Sequence, residues 1–217
     1  VEVPAIAAAS VCAVVLAGGR ATRMGGVDKG LQRFQGQTLV ATALQRLRLQ
    51  SLGAPGLLAI NANRNQTAYA DLGVPVWSDS VPDFVGPLAG FLVALQQCQS
   101  RLDYVLSVPC DSPLFPLDLL ARLSAALVTE QAEIAMALAP DTQADGSTVL
   151  RPQPVFCLMR SNLGDSLQRF IADGGRKVGA WTGSHKQVKV AFDTSGDDPR
   201  AFANANTLDE LYALEKP

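Results

Sequence analysis

The chain has 217 residues, of which 48% are hydrophobic and 18% charged, and its formal net charge is −2. The apolar share suffices for a packed core, and 18 glycines with 13 prolines fall well short of a low-complexity chain. A protein that neutralises a nucleic-acid backbone carries a basic excess, which is absent, so polymeric DNA or RNA is not an expected partner.

Residues 1–10 read as a flexible tail and residues 11–217 as a single domain. The uncharged stretch 3–19 is too short for a membrane span, and Glu2 stands where a secretion signal carries positive charge. Val11 to Ala17 is a continuous, β-branched apolar run, the pattern of a strand covered on both faces. A glycine-rich loop, 18–30, follows. Thr38 to Gln50 shows helical spacing of apolar residues. Leu57 to Ile60 is a buried strand, Asn65 to Leu72 a short helix, Val74 to Trp77 a short strand, and Gly86 to Gln99 a helix. Tyr104 to Val108 is a strand that ends at Pro109-Cys110-Asp111. Pro116 suits the first position of a helix reaching Val128. Ile134 to Leu138 and Val155 to Met159 are strands, and the polar segment 140–153 between them reads as a loop. Ser161 to Ala172 is an amphipathic helix stopped by Gly174-Gly175. Val188 to Phe192 is a strand, and Thr207-Leu208-Asp209-Glu210 is a capping box opening a helix to Leu214. Strands alternating with helices predict an α/β fold: one doubly wound, mainly parallel sheet with helices on both faces.

The four cysteines form no closely spaced pair and lie in apolar surroundings, which fits small buried side chains in a reducing, cytoplasmic compartment. His185 is the single histidine and reads as an exposed side chain, so a Ser-His-Asp hydrolase or a histidine-rich zinc site is disfavoured.

Ligands of open parallel sheets sit beyond the carboxyl ends of the strands. Polar and glycine residues gather there: Leu16, Ala17, Gly18 and Gly19 after the first strand, then Arg20, Arg23, Gly25, Gly26, Asp28 and Lys29. Asn61 and Asn63 follow the second, Asp79 the third and Asp111 the fourth. Five glycines between 18 and 30 allow sharp turns and exposed N–H groups, and Arg20, Arg23 and Lys29 outweigh Asp28. The loop is neither a Walker A sequence nor GxGxxG. It suits a phosphate cradle or a structural turn. Asp111 suits a Mg²⁺ ligand or a turn cap. Gly86 suits helix entry or close approach to a ligand.

The segments L-A-G-G-R-A-T-R-M-G-G-V-D-K-G-L (16–31), N-A-N-R (61–64), G-P-L-A-G (86–90), P-C-D (109–111) and F-A-N-A-N-T-L-D-E-L (202–211) resemble the molybdenum cofactor guanylyltransferases, over about residues 12 to 214. The resemblance implies transfer of GMP from GTP to the terminal phosphate of molybdopterin, with release of pyrophosphate. It implies that Leu16, Ala17, Gly18, Gly19, Lys29, Asn61, Asp79 and Asp111 bind the nucleotide, and that Asp111 binds Mg²⁺, the cofactor. Arg23, Gly26, Gly86, Asn204 and Asn206 match positions of the molybdopterin side, and Arg23, Lys29 and Asp111 would serve the transfer itself. The nucleotide half would span about 11–115 and the pterin half about 116–217. Transient contact with proteins that deliver or accept the cofactor is implied; nucleic acid and membrane are not.

The electrostatics agree with this. Two polyanions repel, so they must be neutralised and held in line, while an ionised phosphate needs neither a base nor a covalent intermediate. The rivals are a cytidylyltransferase acting on the same pterin, a sugar-1-phosphate nucleotidyltransferase, and a non-catalytic carrier of pterin or nucleotide. Cytidylyltransferases resemble L-A-A-G where this chain has Leu16-Ala17-Gly18-Gly19, which favours GTP.

Overall fold

The computed structural model describes residues 5–17, 28–81, 86–143 and 145–216. In chain order the elements are β1 (Val11–Leu16), β2 (Arg33–Phe34), β3 (Gln37–Thr38), α1 (Leu39–Arg48), β4 (Leu57–Asn61), α2 (Gln66–Ala70), β5 (Val76–Trp77), α3 (Pro87–Cys98), β6 (Tyr104–Pro109), α4 (Leu119–Thr129), β7 (Ile134–Thr142), β8 (Thr148–Arg160), α5 (Gly164–Ala172), α6 (Val178–Thr182), β9 (Gln187–Ala191) and α7 (Leu208–Glu215). Seven strands form one sheet in the order β5-β4-β1-β6-β8-β7-β9; β2 and β3 make a separate hairpin. Within the seven-stranded sheet, β8 alone runs against the others.

The unbroken apolar strands follow from a sheet buried on both faces. Val11, Ala13 and Val15 of β1 enter one core with α1 and α4, whereas Cys12, Val14 and Leu16 enter the other with α3, α5 and α6. β6 and β8 divide in the same way: Leu106, Val108, Phe156 and Leu158 on the first side, Val105, Cys157 and Met159 on the second. All four cysteines are free and buried. A third, smaller core joins Phe34 and Leu39 to Ala205 and Leu211, and Glu215 accepts a hydrogen bond from Gln35 N at 2.6 Å. That contact docks the C-terminal segment onto the β2–β3 hairpin.

Four expectations need correction. Residues 140–153 are not a loop: β7 and β8 pair as far as Thr142 and Thr148, forming an antiparallel arm. Its strands extend past the core, leaving Val149 and Leu150 exposed among polar residues, and Arg151 bridges Asp141 at 2.5 Å across the arm. Pro116 does not open α4, which begins at Leu119; Pro116 O instead accepts from Leu119 N, and the buried Gln50 side chain accepts from Leu120 N at 2.8 Å. Of the tail, residues 8–10 form a 3₁₀ turn, Ile6 is buried, and Ala8 O accepts from Gly56 N at 3.0 Å. His185 is not exposed: its side chain is 12% accessible, with Nε2 2.8 Å from Ser166 Oγ and Nδ1 3.3 Å from Glu133 Oε2. It lies edge-on to buried Trp181, so these contacts tie the approach to β9 onto α5 and α6.

Candidate active site

After β1 the chain builds β4 and β5 on one side, then crosses to place β6 on the other. The switch in direction between β1 and β6 opens a crevice at the carboxyl ends of these strands. Backbone pairing continues past the strand ends: Ala17 N donates to Asn61 O at 2.9 Å and Cys110 N to Leu16 O at 3.1 Å. Leu16, Ala17, Asn61 and the turn to Asp111 therefore share one rim.

Lys29 opens a 3₁₀ turn, Lys29–Leu31, capped by the Asp28 side chain, which accepts from Gly30 N. From there the Lys29 ammonium donates to Asp111 Oδ2 at 3.1 Å and to Asn206 Oδ1 at 2.8 Å. Lys29 and Asp111 keep 22% and 21% of their side-chain surface in solvent, so the pair is partly buried yet reachable from solvent. Asn206 arrives from the far end of the chain because two bonds hold its segment down. Ala205 N donates to Asp111 O at 2.8 Å, and Ser112 Oγ donates to Asn204 Oδ1 at 2.5 Å. The capping box at Thr207 and Glu210 then fixes α7, and Asn206 N donates to Glu210 Oε2.

A second polar cluster lies along the rim. The Asp79 carboxylate accepts from Asn61 Nδ2 at 2.8 Å and from Asn63 Nδ2 at 2.7 Å, while Asp79 N donates to Asn63 Oδ1. Asn61 is buried, and its second amide hydrogen goes to Trp77 O at 3.1 Å. Its amide donors are spent, and Oδ1 remains as an acceptor. The first turn of α3 closes over this amide. Gly86 caps the helix with φ 65° and ψ −145°, a backbone state that glycine alone takes easily. One turn on, a Cβ at Gly90 would stand 2.6 Å from Asn61 Oδ1 and 2.8 Å from Leu16 Cδ2.

Of the sequence-predicted site residues, the fold brings Lys29, Asp111 and Asn206 into one hydrogen-bonded group, with Asn204 bonded to Ser112 beside it, and Asn61 and Asp79 into another. Leu16 and Ala17 lie on the strand end between them. Gly86 stands at the α3 entrance. Gly18, Gly19, Arg23 and Gly26 lie outside the described residues. Among the described residues no group of three or more His, Cys, Asp or Glu is arranged to hold a metal ion. Asp111 offers a single carboxylate, one oxygen of which meets Lys29. That fits Mg²⁺, which takes one or two protein carboxylates and completes its shell with substrate phosphates and water. The Cys110 thiol beside it is pushed up by burial first and by Asp111 and Asp28 next, so it stays protonated and is no nucleophile. Beyond the residues expected to form the site, Asn63 bonds to Asp79, Asn65 and Tyr69 bond to Asp28, and Gly90 borders Asn61. The recurrence of Asn at 61, 63 and 65 was the available signal; for Tyr69 there was none.

Comparisons with known proteins identify the fold and the family. Residues 13–188 match the MobA-like NTP transferase domain. A molybdenum cofactor guanylyltransferase from Albidiferax ferrireducens is 52% identical over 210 residues, covering 97% of this chain and 98% of that one. One from Acidovorax ebreus is 55% identical over 203 residues, covering 93% of each. Among solved structures, the molybdopterin-guanine dinucleotide biosynthesis protein A from Archaeoglobus fulgidus superposes with a TM-score of 0.69 at 19% identity, over 94% of this chain and 97% of that one. The chain belongs to the molybdenum cofactor guanylyltransferase family, within the MobA-like NTP transferases.

Proposed function

We propose that this protein transfers GMP from GTP to the terminal phosphate of molybdopterin and releases pyrophosphate, with the crevice between β1 and β6 as its active site. The observation that carries the reading is the Lys29 ammonium held between Asp111 and Asn206 at that crevice. An ammonium has three N–H donors; two are engaged here, and the third is available to a phosphate oxygen. Bound at Asp111, Mg²⁺ would neutralise phosphate charge and help hold the triphosphate in line.

The remaining work falls to the chain's own groups. Lys29 supplies fixed positive charge where the two polyanions meet, at no reorganisation cost during reaction. Arg23 adds to it. The Leu16–Gly19 segment with Asn61 and Asp79 seats the nucleotide. Guanine presents N–H donors at N1 and N2, and the cluster of Asn61 Oδ1 with the two Asp79 oxygens is rich in acceptors. Cytosine presents acceptors where guanine presents these donors, so the same cluster disfavours CTP. We assign Gly26, Gly86, Asn204 and Asn206 to the pterin substrate. On this reading residues 11 to about 115 serve the nucleotide, and residues from about 116 to 217, Asn204 and Asn206 among them, serve the pterin. Among the described residues no helix is long and apolar enough to cross a membrane. We place the reaction in the cytoplasm, with transient docking to the proteins that deliver and accept the cofactor.

The test is pyrophosphate release by purified protein with molybdopterin and Mg²⁺, comparing GTP, CTP and ATP. Release with GTP alone supports the reading. No release, or equal release with CTP, refutes it.

A further inference from the structure

Asp28 stands next to Lys29 in the chain, where its carboxylate would compete with phosphate for the ammonium. The fold turns it away. Asp28 Oδ1 accepts from Gly30 N at 3.1 Å and from the Tyr69 hydroxyl at 2.5 Å, and Oδ2 accepts from Asn65 Nδ2 at 2.9 Å. Three neutral donors stabilise the charge. The Lys29 ammonium points the other way, to Asp111 and Asn206.

Tyr69 is the buried member of this set, anchored in α2. Its hydroxyl reaches Asp28 because position 30 is glycine: a Cβ there would lie 2.5 Å from the hydroxyl oxygen and 3.3 Å from the ring. Burial first, then the Asp28 hydrogen bond, push the phenol well above its ordinary range, so the group remains a donor at any working pH. Asn65 enters α2 in the left-handed region, φ 51°. Residues 61–69 therefore hold Asp79 with Asn61 and Asn63, and Asp28 with Asn65 and Tyr69. One short piece of chain registers both ends of the candidate nucleotide site.

We propose that Tyr69 is a positioning residue for the transfer reaction: through Asp28 it fixes the turn carrying Lys29 and keeps the ammonium free for Asp111, Asn206 and phosphate. The inference deepens the reading above and rests on it. Its test is a double-mutant cycle of wild type, Tyr69→Phe, Lys29→Ala and the double variant. Single-turnover pyrophosphate release is measured with GTP, Mg²⁺ and molybdopterin, and folding is checked by thermal unfolding. Tyr69→Phe should lower the transfer rate ~10-fold with KM for GTP changed less than ~2-fold, and should cost nothing further once Lys29 is alanine. Equal losses in both backgrounds, or an unchanged rate in Tyr69→Phe, overturn the proposal while leaving the functional reading intact. An inactive wild type ends both. Should Tyr69→Phe fail to fold, Asn65→Gly replaces it, since glycine accepts the left-handed backbone and drops the amide. A loss of ~3-fold that vanishes without Lys29 supports the proposal, and a wild-type rate overturns it.

Discussion

Replacing Gly90 with alanine would press a methyl group against the buried Asn61 amide. The added Cβ lies 2.6 Å from Asn61 Oδ1, 3.1 Å from Asn61 Cγ and 2.8 Å from Leu16 Cδ2. Asn61 cannot swing aside without loosening its bonds to Trp77 O and to the Asp79 carboxylate. Overpacking of this kind costs about 1–3 kcal/mol. Weakening a hydrogen bond to a charged partner adds about 1.5–3 kcal/mol. Alanine returns about 1 kcal/mol through helix propensity. The net loss is about 1.5–5 kcal/mol, or roughly 3–20 °C in Tm for a domain of this size. Because the displaced group belongs to the candidate base site, KM for GTP should rise as well. Gly179→Ala in α6 is the control, since a Cβ there meets nothing within 4 Å; it should be neutral or stabilise by about 0.5–1 kcal/mol. Thermal unfolding of both variants with and without GTP makes the comparison. A Gly90→Ala protein that melts within about 2 °C of wild type and binds GTP normally would refute the reasoning.

Lys29→Ala should lower kcat by about 10²–10³-fold, the loss typical of a preorganised donor, and a change confined to KM would reassign Lys29 to ground-state binding. Asp111→Ala should abolish Mg²⁺-dependent pyrophosphate release while the protein stays folded, because its backbone carbonyl still accepts from Ala205 N; a Mg²⁺ titration of activity reads this. Asp197 is held below the ordinary carboxylate value: burial opposes its charge, but the bond from Arg122 at 2.7 Å and those from Thr194 prevail. A depressed carboxylate contributes stability above its unfolded-state pKa of 3.8, and that contribution disappears as pH falls through the lower folded value. Asp197→Asn should therefore lose stability at pH 7 and show a shallower acid limb in urea unfolding; parallel pH profiles for the two proteins would contradict this.

The order of elements was legible because each strand and helix announces itself through neighbouring residues. The Val11–Leu16 run demanded burial on two faces, and Thr207 with Glu210 formed its capping box from four consecutive positions. The β7–β8 arm was misread because polar composition looks like a loop when no core is in view. Pro116 was misplaced because the donors of the first α4 turn are satisfied partly by Gln50, 70 residues away along the chain.

The chemistry divides along the same line. Glycine-rich loop, asparagine-rich turn and terminal Asp111 could be read directly as strand-end features, because the parallel βα pattern forces strand ends onto a common rim. Which of them touch could not be read, because such contacts depend on how distant segments pack. Lys29 meets Asn206 across 177 residues, and Tyr69 meets Asp28 across 41. Local periodicity encodes where a chain turns and which face it buries. The partner of a polar side chain is settled only when the sheet, its helices and the docked C-terminal segment have closed around it.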